Sequence, residues 1–296
     1  LLTRTDTIIV ASVSCIYGLG NPKEYQRVNK HLQVGMPANK VSLMRDFVSI
    51  FYERTNVDLS PGTFRTIGNR IDIMSIADTL MLQIEIEDNK ISRLTITDPV
   101  NMKEIEEIND YFLYPAKHYV SDDATRAKAV KSIEAELKQT LIDFDKTGKV
   151  LEYERIKRRT TYDLAMIKEI GFCQGIENYS RHLSGKEPGV APDTLLEYFP
   201  HNANGEPEFL TIIDESHVTL PQLHAMYAGD QSRKSTLVEY GFRLPSAKDN
   251  RPLKYEEFET RVNEVIYVSA TPGTFEREES EQVVQQIIRP TGLLDP

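Results

Sequence analysis

The chain has 296 residues, 40% of them hydrophobic and 27% charged, which fits a folded globular protein and excludes a disordered or fibrous one. That length predicts about two domains of roughly 100–200 residues, and no apolar run approaches the roughly 20 residues needed to span a bilayer. A net charge of −10 excludes a uniformly basic polyphosphate binder but not a local basic groove, because steering depends on how charge is distributed. Cys15 and Cys173 show no zinc or disulfide spacing, so the expected compartment is a reducing cytoplasm. The opening Leu-Leu-Thr-Arg-Thr-Asp has no initiator Met and no signal-peptide pattern, as expected of an excised segment.

In chain order, the first element expected is a strand at Ile8-Ile9-Val10-Ala11, continuous in apolar residues and ending at Ser12. Two later runs share its character: Phe209-Leu210-Thr211-Ile212-Ile213, which ends at Asp214, and Val265-Ile266-Tyr267-Val268, which ends at Ser269. Runs without alternation predict strands covered on both faces, as in a parallel sheet flanked by helices. Ligands of such sheets gather at the carboxyl ends of the strands, where these polar residues fall.

Between the first run and the other two, the pattern changes twice. Leu80, Leu82, Ile84 and Ile86 alternate with Met81, Gln83, Glu85 and Glu87, Asp88-Asn89-Lys90 offers a turn, and Leu94 and Ile96 resume the alternation. Period two with one polar face predicts an antiparallel sheet half open to water, set in a small β-rich domain over residues 29–118. From Asp122, Ala127, Val130, Ile133, Leu137, Leu141 and Phe144 recur at three and four, predicting an amphipathic helix that Gly148 ends. Leu164, Ile167 and Ile170 before Gly171, then Ile176, Tyr179 and Leu183, predict two more helical stretches. The expected organisation is therefore 1–28 and 191–296 as two parts of one α/β lobe, with 29–118 and a helical subdomain at 119–190 inserted between them.

The sharpest chemical signal is Ile212-Ile213-Asp214-Glu215-Ser216-His217. Two adjacent acids after an apolar strand suit nucleotide hydrolysis: Asp214 would hold a magnesium ion through its water shell, and Glu215 would orient or deprotonate the attacking water. Solvated acids at a strand end are the ordinary alternative, and His217 sharpens the reading because Asp-Glu-x-His is a helicase-type signature. Val268-Ser269-Ala270-Thr271-Pro272-Gly273 is the second signal. Ser269 and Thr271 could sense nucleotide state through the acidic motif on a neighbouring strand, although Pro-Gly by itself is simple turn chemistry. Together the two segments look like motifs II and III of a superfamily 2 helicase. No Gly-x-x-x-x-Gly-Lys-Ser/Thr occurs, and neither Gly18-Leu19-Gly20 nor Gly185-Lys186 completes one, so the chain lacks a phosphate-cradling loop of its own.

Longer blocks carry a closer resemblance. Ala11-Ser12-Val13-Ser14-Cys15-Ile16-Tyr17-Gly18-Leu19-Gly20, Gly175-Ile176-Glu177-Asn178-Tyr179-Ser180-Arg181, Asp214 to Gln222, Leu237 to Ala247, Asp249 to Leu253 and Arg289 to Pro296 are similar to blocks of the UvrB family, in that family's order. An unrelated superfamily 2 RNA helicase would share only the Asp-Glu-x-His motif. The resemblance implies a partial superfamily 2 helicase (P-loop NTPase-like) parallel sheet with an inserted β-rich α+β domain and a helical subdomain. It also implies a damage-verifying, ATP- and Mg2+-dependent subunit of bacterial nucleotide excision repair. The partners implied are UvrA, damaged DNA and, in the intact protein, UvrC, without membrane attachment. This segment would be inactive alone; the alternative is a module that docks UvrA and hydrolyses nothing.

Family matches make Arg54, Arg65 and Glu85 the expected UvrA contacts. Ile67 stands where the family usually carries another arginine, with Arg70 nearby to compensate. The basic run Arg155-Ile156-Lys157-Arg158-Arg159, with Tyr162, Tyr179 and Arg181 beyond it, suits phosphates and stacked bases. Arg158, Arg159, Tyr179 and Arg181 are the expected DNA contacts, against the ordinary alternative of a solvated helix face.

Overall fold

A computed structural model describes residue 2 and residues 6–76, 80–119 and 123–287. The block Arg289 to Pro296 lies outside the described residues. Chain order begins with a 3-10 turn at Val13–Ile16 and a short helix α1 (Pro22–Arg27), whose free N–H groups are met by the Asn21 side chain, with Pro22 at the first helical position. Strand β1 (Lys30–Gln33) follows, then α2 (Lys40–Ser49), which opens on a reciprocal cap between Asn39 and Ser42.

Strands β2 (Glu53–Arg54), β3 (Thr63–Ile67), β4 (Arg70–Met74), β5 (Met81–Glu87), β6 (Lys90–Thr97) and β7 (Glu104–Ile108) form one sheet in sequence order. It is antiparallel throughout except for the β2–β3 pair. Strand β8 (Asp110–Leu113) returns to pair with β1. Asp88 and Asn89 both have positive φ, as a two-residue hairpin turn matched to the strand twist requires. Phe64, Ile71, Ile73, Leu82, Ile84 and Leu94 pack one face of this sheet against Leu43 and Phe47 of α2, and the core closes entirely within residues 32–116. The opposite face departs from expectation: Asp72, Gln83, Thr95 and Thr97 are buried there rather than open to water. Arg65, across the strand pair, and Arg70, on the same strand, lie at 3.2 and 2.7 Å from the Asp72 carboxylate, so long arginine side chains roof the middle of that face.

Helices α3 (Asp123–Lys146) and α4 (Val150–Ile170) form a hairpin whose short loop makes them neighbours. Gly148 and Gly171 take positive φ, and Gly171 caps the end of α4. Val130, Ile133 and Leu137 meet Ile156, Leu164 and Ile167, and a 3-10 turn (Ile176–Tyr179), α5 (Ser180–Ser184) and the distant Leu244 complete the second core.

The third core joins Ile16 to residues far along the chain, among them Leu196, Ile213, Leu220, Leu253 and Phe258. Its elements are a 3-10 turn (Leu195–Tyr198), β9 (Leu210–Ile213), α6 (Ser216–Glu239), a 3-10 turn (Pro245–Asp249), α7 (Tyr255–Glu259), β10 (Glu264–Tyr267) and α8 (Thr274–Glu279). The Leu253 N–H donates to Ile16 O at 3.0 Å and the Leu19 N–H to Asp193 O at 2.8 Å, so the early segment is sewn to the late one. Strands β9 and β10 pair in parallel, Ile213 opposite Tyr267.

Two strand expectations change here. The Ile8–Ala11 run is not a strand: Ile8 is 92% and Val10 96% exposed, and no strand lies beside them among the described residues. A strand needs a neighbour to satisfy its N–H and C=O groups, and apolar composition alone supplies none. Strands β9 and β10 are covered on one face only, with Ile212 61% exposed and Leu210 and Ile266 also open. Among the described residues no helix is long and apolar enough to cross a membrane.

Candidate functional site

The parallel pairing of β9 and β10 brings the two chemical motifs together. Asp214 and Glu215 follow the last residue of β9, both exposed, and Ser269 follows the end of β10. The Val268 N–H donates to Ile213 O at 2.9 Å and the Ser216 N–H to Val268 O at 3.0 Å, carrying the pairing past the strands into both motifs. Glu215 turns the chain from strand to helix with φ +46 and ψ +48, a left-handed conformation that residues with a Cβ rarely adopt. The Thr219 hydroxyl donates to Asp214 O at 2.8 Å across the same turn.

His217 lies between the motifs. Its Nδ1 is 2.8 Å from Ser269 Oγ and 3.5 Å from Glu215 Oε2, and the Thr271 N–H donates to Ser269 Oγ at 3.0 Å. One ring nitrogen thus links the second acid to the hydroxyl residues of the other strand, and all four expected nucleotide-site residues gather at one end of a parallel sheet. Asp214 Oδ1 already accepts from the Glu215 N–H at 3.0 Å. A single exposed carboxylate suits a magnesium ion held through its water shell rather than a closed cage. Among the described residues no cluster of three His, Cys, Asp or Glu side chains is built to hold an ion directly. The donor set fits the metal side of a bound nucleotide, and no residue of the chain supplies the phosphate loop.

Arg65 and Glu85 share the roofed face of the six-stranded sheet. Arg65 pairs across to Asp72, while Glu85 stands opposite Arg70 and 3.9 Å from Arg93. Arg93 reaches Glu104 and Glu107 at 2.9 Å each; hydrogen bonds from Arg93 hold the Glu104 carboxyl below its ordinary range. Ile67 opens the same face opposite Arg70. Arg54 is placed apart: it lies on the edge strand β2 and donates to Thr66 Oγ1 at 3.4 Å, and Thr66 and Arg65 point to opposite faces of β3.

The four expected DNA contacts do not form one surface. Tyr179 is only 5% exposed, and its hydroxyl donates to Asp163 Oδ2 at 2.8 Å. Burial and then the Asp163 charge push its phenol well above the ordinary value. Its ring belongs to the helical core and offers no stacking face, a correction that follows from its place in the same apolar period as Ile176 and Leu183. Arg159 donates to the same carboxylate at 2.9 Å and to Gln174 O at 3.0 Å. Arg181 is held between Asp249 at 2.8 Å and Glu136 at 3.3 Å, so it ties the helical subdomain to the lobe instead of facing a phosphate. Arg158 alone of the four has no hydrogen bond or ion pair among the described residues. Tyr162, one turn further along α4 and 63% exposed, shares its side of the helix. Nearby, Arg155 lies over the ring of exposed Phe242 at 4.8 Å. Tyr162 was visible as an aromatic beside the basic run; its exposure depends on how α4 is rotated against α3, and the burial of Tyr179 on how the 3-10 turn folds back onto α4.

The UvrB interaction domain family matches residues 31–119 and the UvrB third helical domain family residues 124–185. A curated relative from Chloroflexus aggregans named UvrABC system protein B is 51% identical over 296 residues. One of the same name from Dehalococcoides mccartyi is 50% identical, and one from Methanothermobacter thermautotrophicus 47% identical. Each alignment covers 100% of this chain and 44–45% of the relative, so the chain spans less than half the length of the curated relatives it matches.

Proposed function

The chain belongs to the UvrB family, and on that premise we propose that it serves nucleotide excision repair as the UvrA-docking and motif-bearing segment of a helicase-like, damage-verifying ATPase. The observation that carries the nucleotide part is the contact of His217 with Ser269 on one side and Glu215 on the other, across parallel strands. In this reading Asp214 would hold a magnesium ion through its water shell, and Glu215 would orient or deprotonate the attacking water. Ser269 and Thr271 pass the state of that site along β10 through His217. The bound magnesium nucleotide supplies charge neutralisation and the leaving group. The phosphate cradle and second lobe come from outside this segment, which by itself turns over no ATP, and the protein works in the cytoplasm.

The test is Glu215→Gln in the full-length protein, expected to keep ATP binding and to lose turnover by about two orders of magnitude or more. Normal turnover would remove Glu215 from the mechanism.

For DNA, we assign the contact to the open side of α4, with Arg158 meeting phosphate and Tyr162 offering a ring to an unpaired base. Arg159, Tyr179 and Arg181 then act through packing. UvrA docking falls to the charged sheet face bearing Arg65 and Glu85, with Arg54 at its rim.

A second reading, a docking module without hydrolysis, draws on the interaction domain having a complete core of its own. Calorimetry of the chain with UvrA, beside Arg65→Ala, tests docking directly. Binding weakened by Arg65→Ala supports it, and unchanged binding moves the contact elsewhere.

A further inference from the structure

Asp214 and Glu215 are exposed, but the residue after them is walled in. Ser216 is fully buried, and both of its polar groups are committed. Its N–H reaches Val268 O at the end of β10, and its hydroxyl donates to Glu276 Oε1 at 2.9 Å. Glu276 is the third residue of α8 and is 5% exposed. Burying a carboxylate is costly, and a hydroxyl partner offsets only part of that cost. An apolar residue would pack there more favourably if packing were the only need. The acid is also close against the second motif: a Cβ added at Gly273 would lie 2.9 Å from Glu276 Oε2, so a side chain there would have to displace the carboxylate.

Glu215 holds a left-handed backbone without being glycine. Such a conformation persists only where its surroundings fix it from several sides. Beside the turn's own bonds to Glu215 O and from the Glu215 N–H, the fixing bonds include Ser216 N–H to Val268 O, Ser216 hydroxyl to Glu276, and Thr219 hydroxyl to Asp214 O. Two come from the elements beside the turn, and Glu276 alone brings α8 into it.

We propose that Glu276 is a positioning residue that locks the Asp214–His217 turn through the Ser216 hydroxyl, so that α8, which follows the Ser269–Gly273 segment, sets the aim of Glu215. This rests on the reading of Glu215 as the water-orienting acid only for its catalytic meaning; the mechanical claim stands on the contacts. Movement of the second motif would then reach Glu215 by two routes, His217 above and Ser216 below. The third position of a short helix is also where an acid commonly stabilises the helix's own start, and the experiment separates that role from this one.

Amide hydrogen exchange read by NMR on the 296-residue chain is the test, comparing Glu276→Leu with Glu276→Gln, which keeps an acceptor oxygen. In Glu276→Leu, the Ser216, Val218 and Thr219 amides are expected to exchange about tenfold faster, the loss set by one buried hydrogen bond. Val268, bonded to Ile213 within the sheet, should stay as protected as before, and Glu276→Gln should remain near wild type. Unchanged Ser216 exchange in Glu276→Leu overturns the proposal, as does loosening confined to the amides of α8. Equal loosening of Ser216 and Val268 in both variants also overturns it, since the acid would then hold the lobe in general. Loss of the nucleotide reading through Glu215→Gln would leave these results standing, and a failed exchange test would leave that reading standing.

Discussion

The six-stranded sheet of the interaction domain and the two-stranded sheet of the lobe use similar residues and end differently. In the first, β3 to β6 bury isoleucines and leucines against α2, and their other face is closed by arginines paired across strands. In the second, Ile213 packs inward while Ile212 and Ile266, of the same chemistry, face outward uncovered. A strand's composition sets what it can bury, and its neighbours decide what it does bury. The interaction domain's strands find theirs within a few turns of sequence. The lobe's two later apolar runs find one partner each, and among the described residues Ile8–Ala11 finds none.

Substitutions can break or sharpen this contrast. The largest expected effect is Phe64→Ala, which removes a wholly buried ring from the closed sheet and should cost about 3–5 kcal/mol in urea unfolding. A loss near 1 kcal/mol would mean that the sheet is far looser than its burial implies. Next comes Tyr179→Phe in the helical subdomain, which loses the bond to Asp163 and leaves that carboxylate to Arg159. It should cost about 1 kcal/mol and leave DNA affinity unchanged if the ring is structural.

Acid should act where the subdomain meets the lobe. Burial would raise the Glu136 carboxyl, but hydrogen bonds from His182 and the Ser246 N–H outweigh it and hold the group below its ordinary 4.5. The ionised form therefore adds stability above about that pH, and the contribution disappears as pH falls from there through the lowered value. Glu136→Gln should flatten this part of the stability profile; an identical slope in both proteins would place the acid sensitivity elsewhere. The smallest effect is Ile212→Ser on the open face of β9, expected within about 0.5 kcal/mol of wild type in the isolated chain. A cost of several kcal/mol would show that the face is covered in solution.

Residues that read out locally were legible beforehand. The Asp88-Asn89 turn, the α3 period and the Gly148 and Gly171 stops all depend on neighbours within a few positions. The meeting of Asp214-Glu215 with Ser269-Thr271 was legible because parallel strands align their ends. What the pattern could not show was rotation and company. Tyr179 shared the apolar period of Ile176 and Leu183, but for Tyr162 only the packing of α4 on α3 shows that the ring is left exposed. Arg181 reads as a free cation until Glu136 and Asp249 arrive from elsewhere in the chain, whereas the partner of Arg159, Asp163, was local, four residues on along the same helix. Glu276 had one faint signal, an acid three residues after the Gly273 cap.

The bond between Leu253 and Ile16 has a consequence in time. A ribosome delivers residues 13–20 early, and their partners emerge on the order of tens of seconds later at roughly 5–20 residues per second. Meanwhile the interaction domain, whose core closes within residues 32–116, can fold in between, while the core of the helical hairpin still waits for Leu244. The lobe is therefore assembled after the interaction domain, by two distant segments of the chain meeting around a unit already in place. A chaperone that shields Ile16 during that interval would speed maturation of the lobe and leave the interaction domain's folding rate untouched.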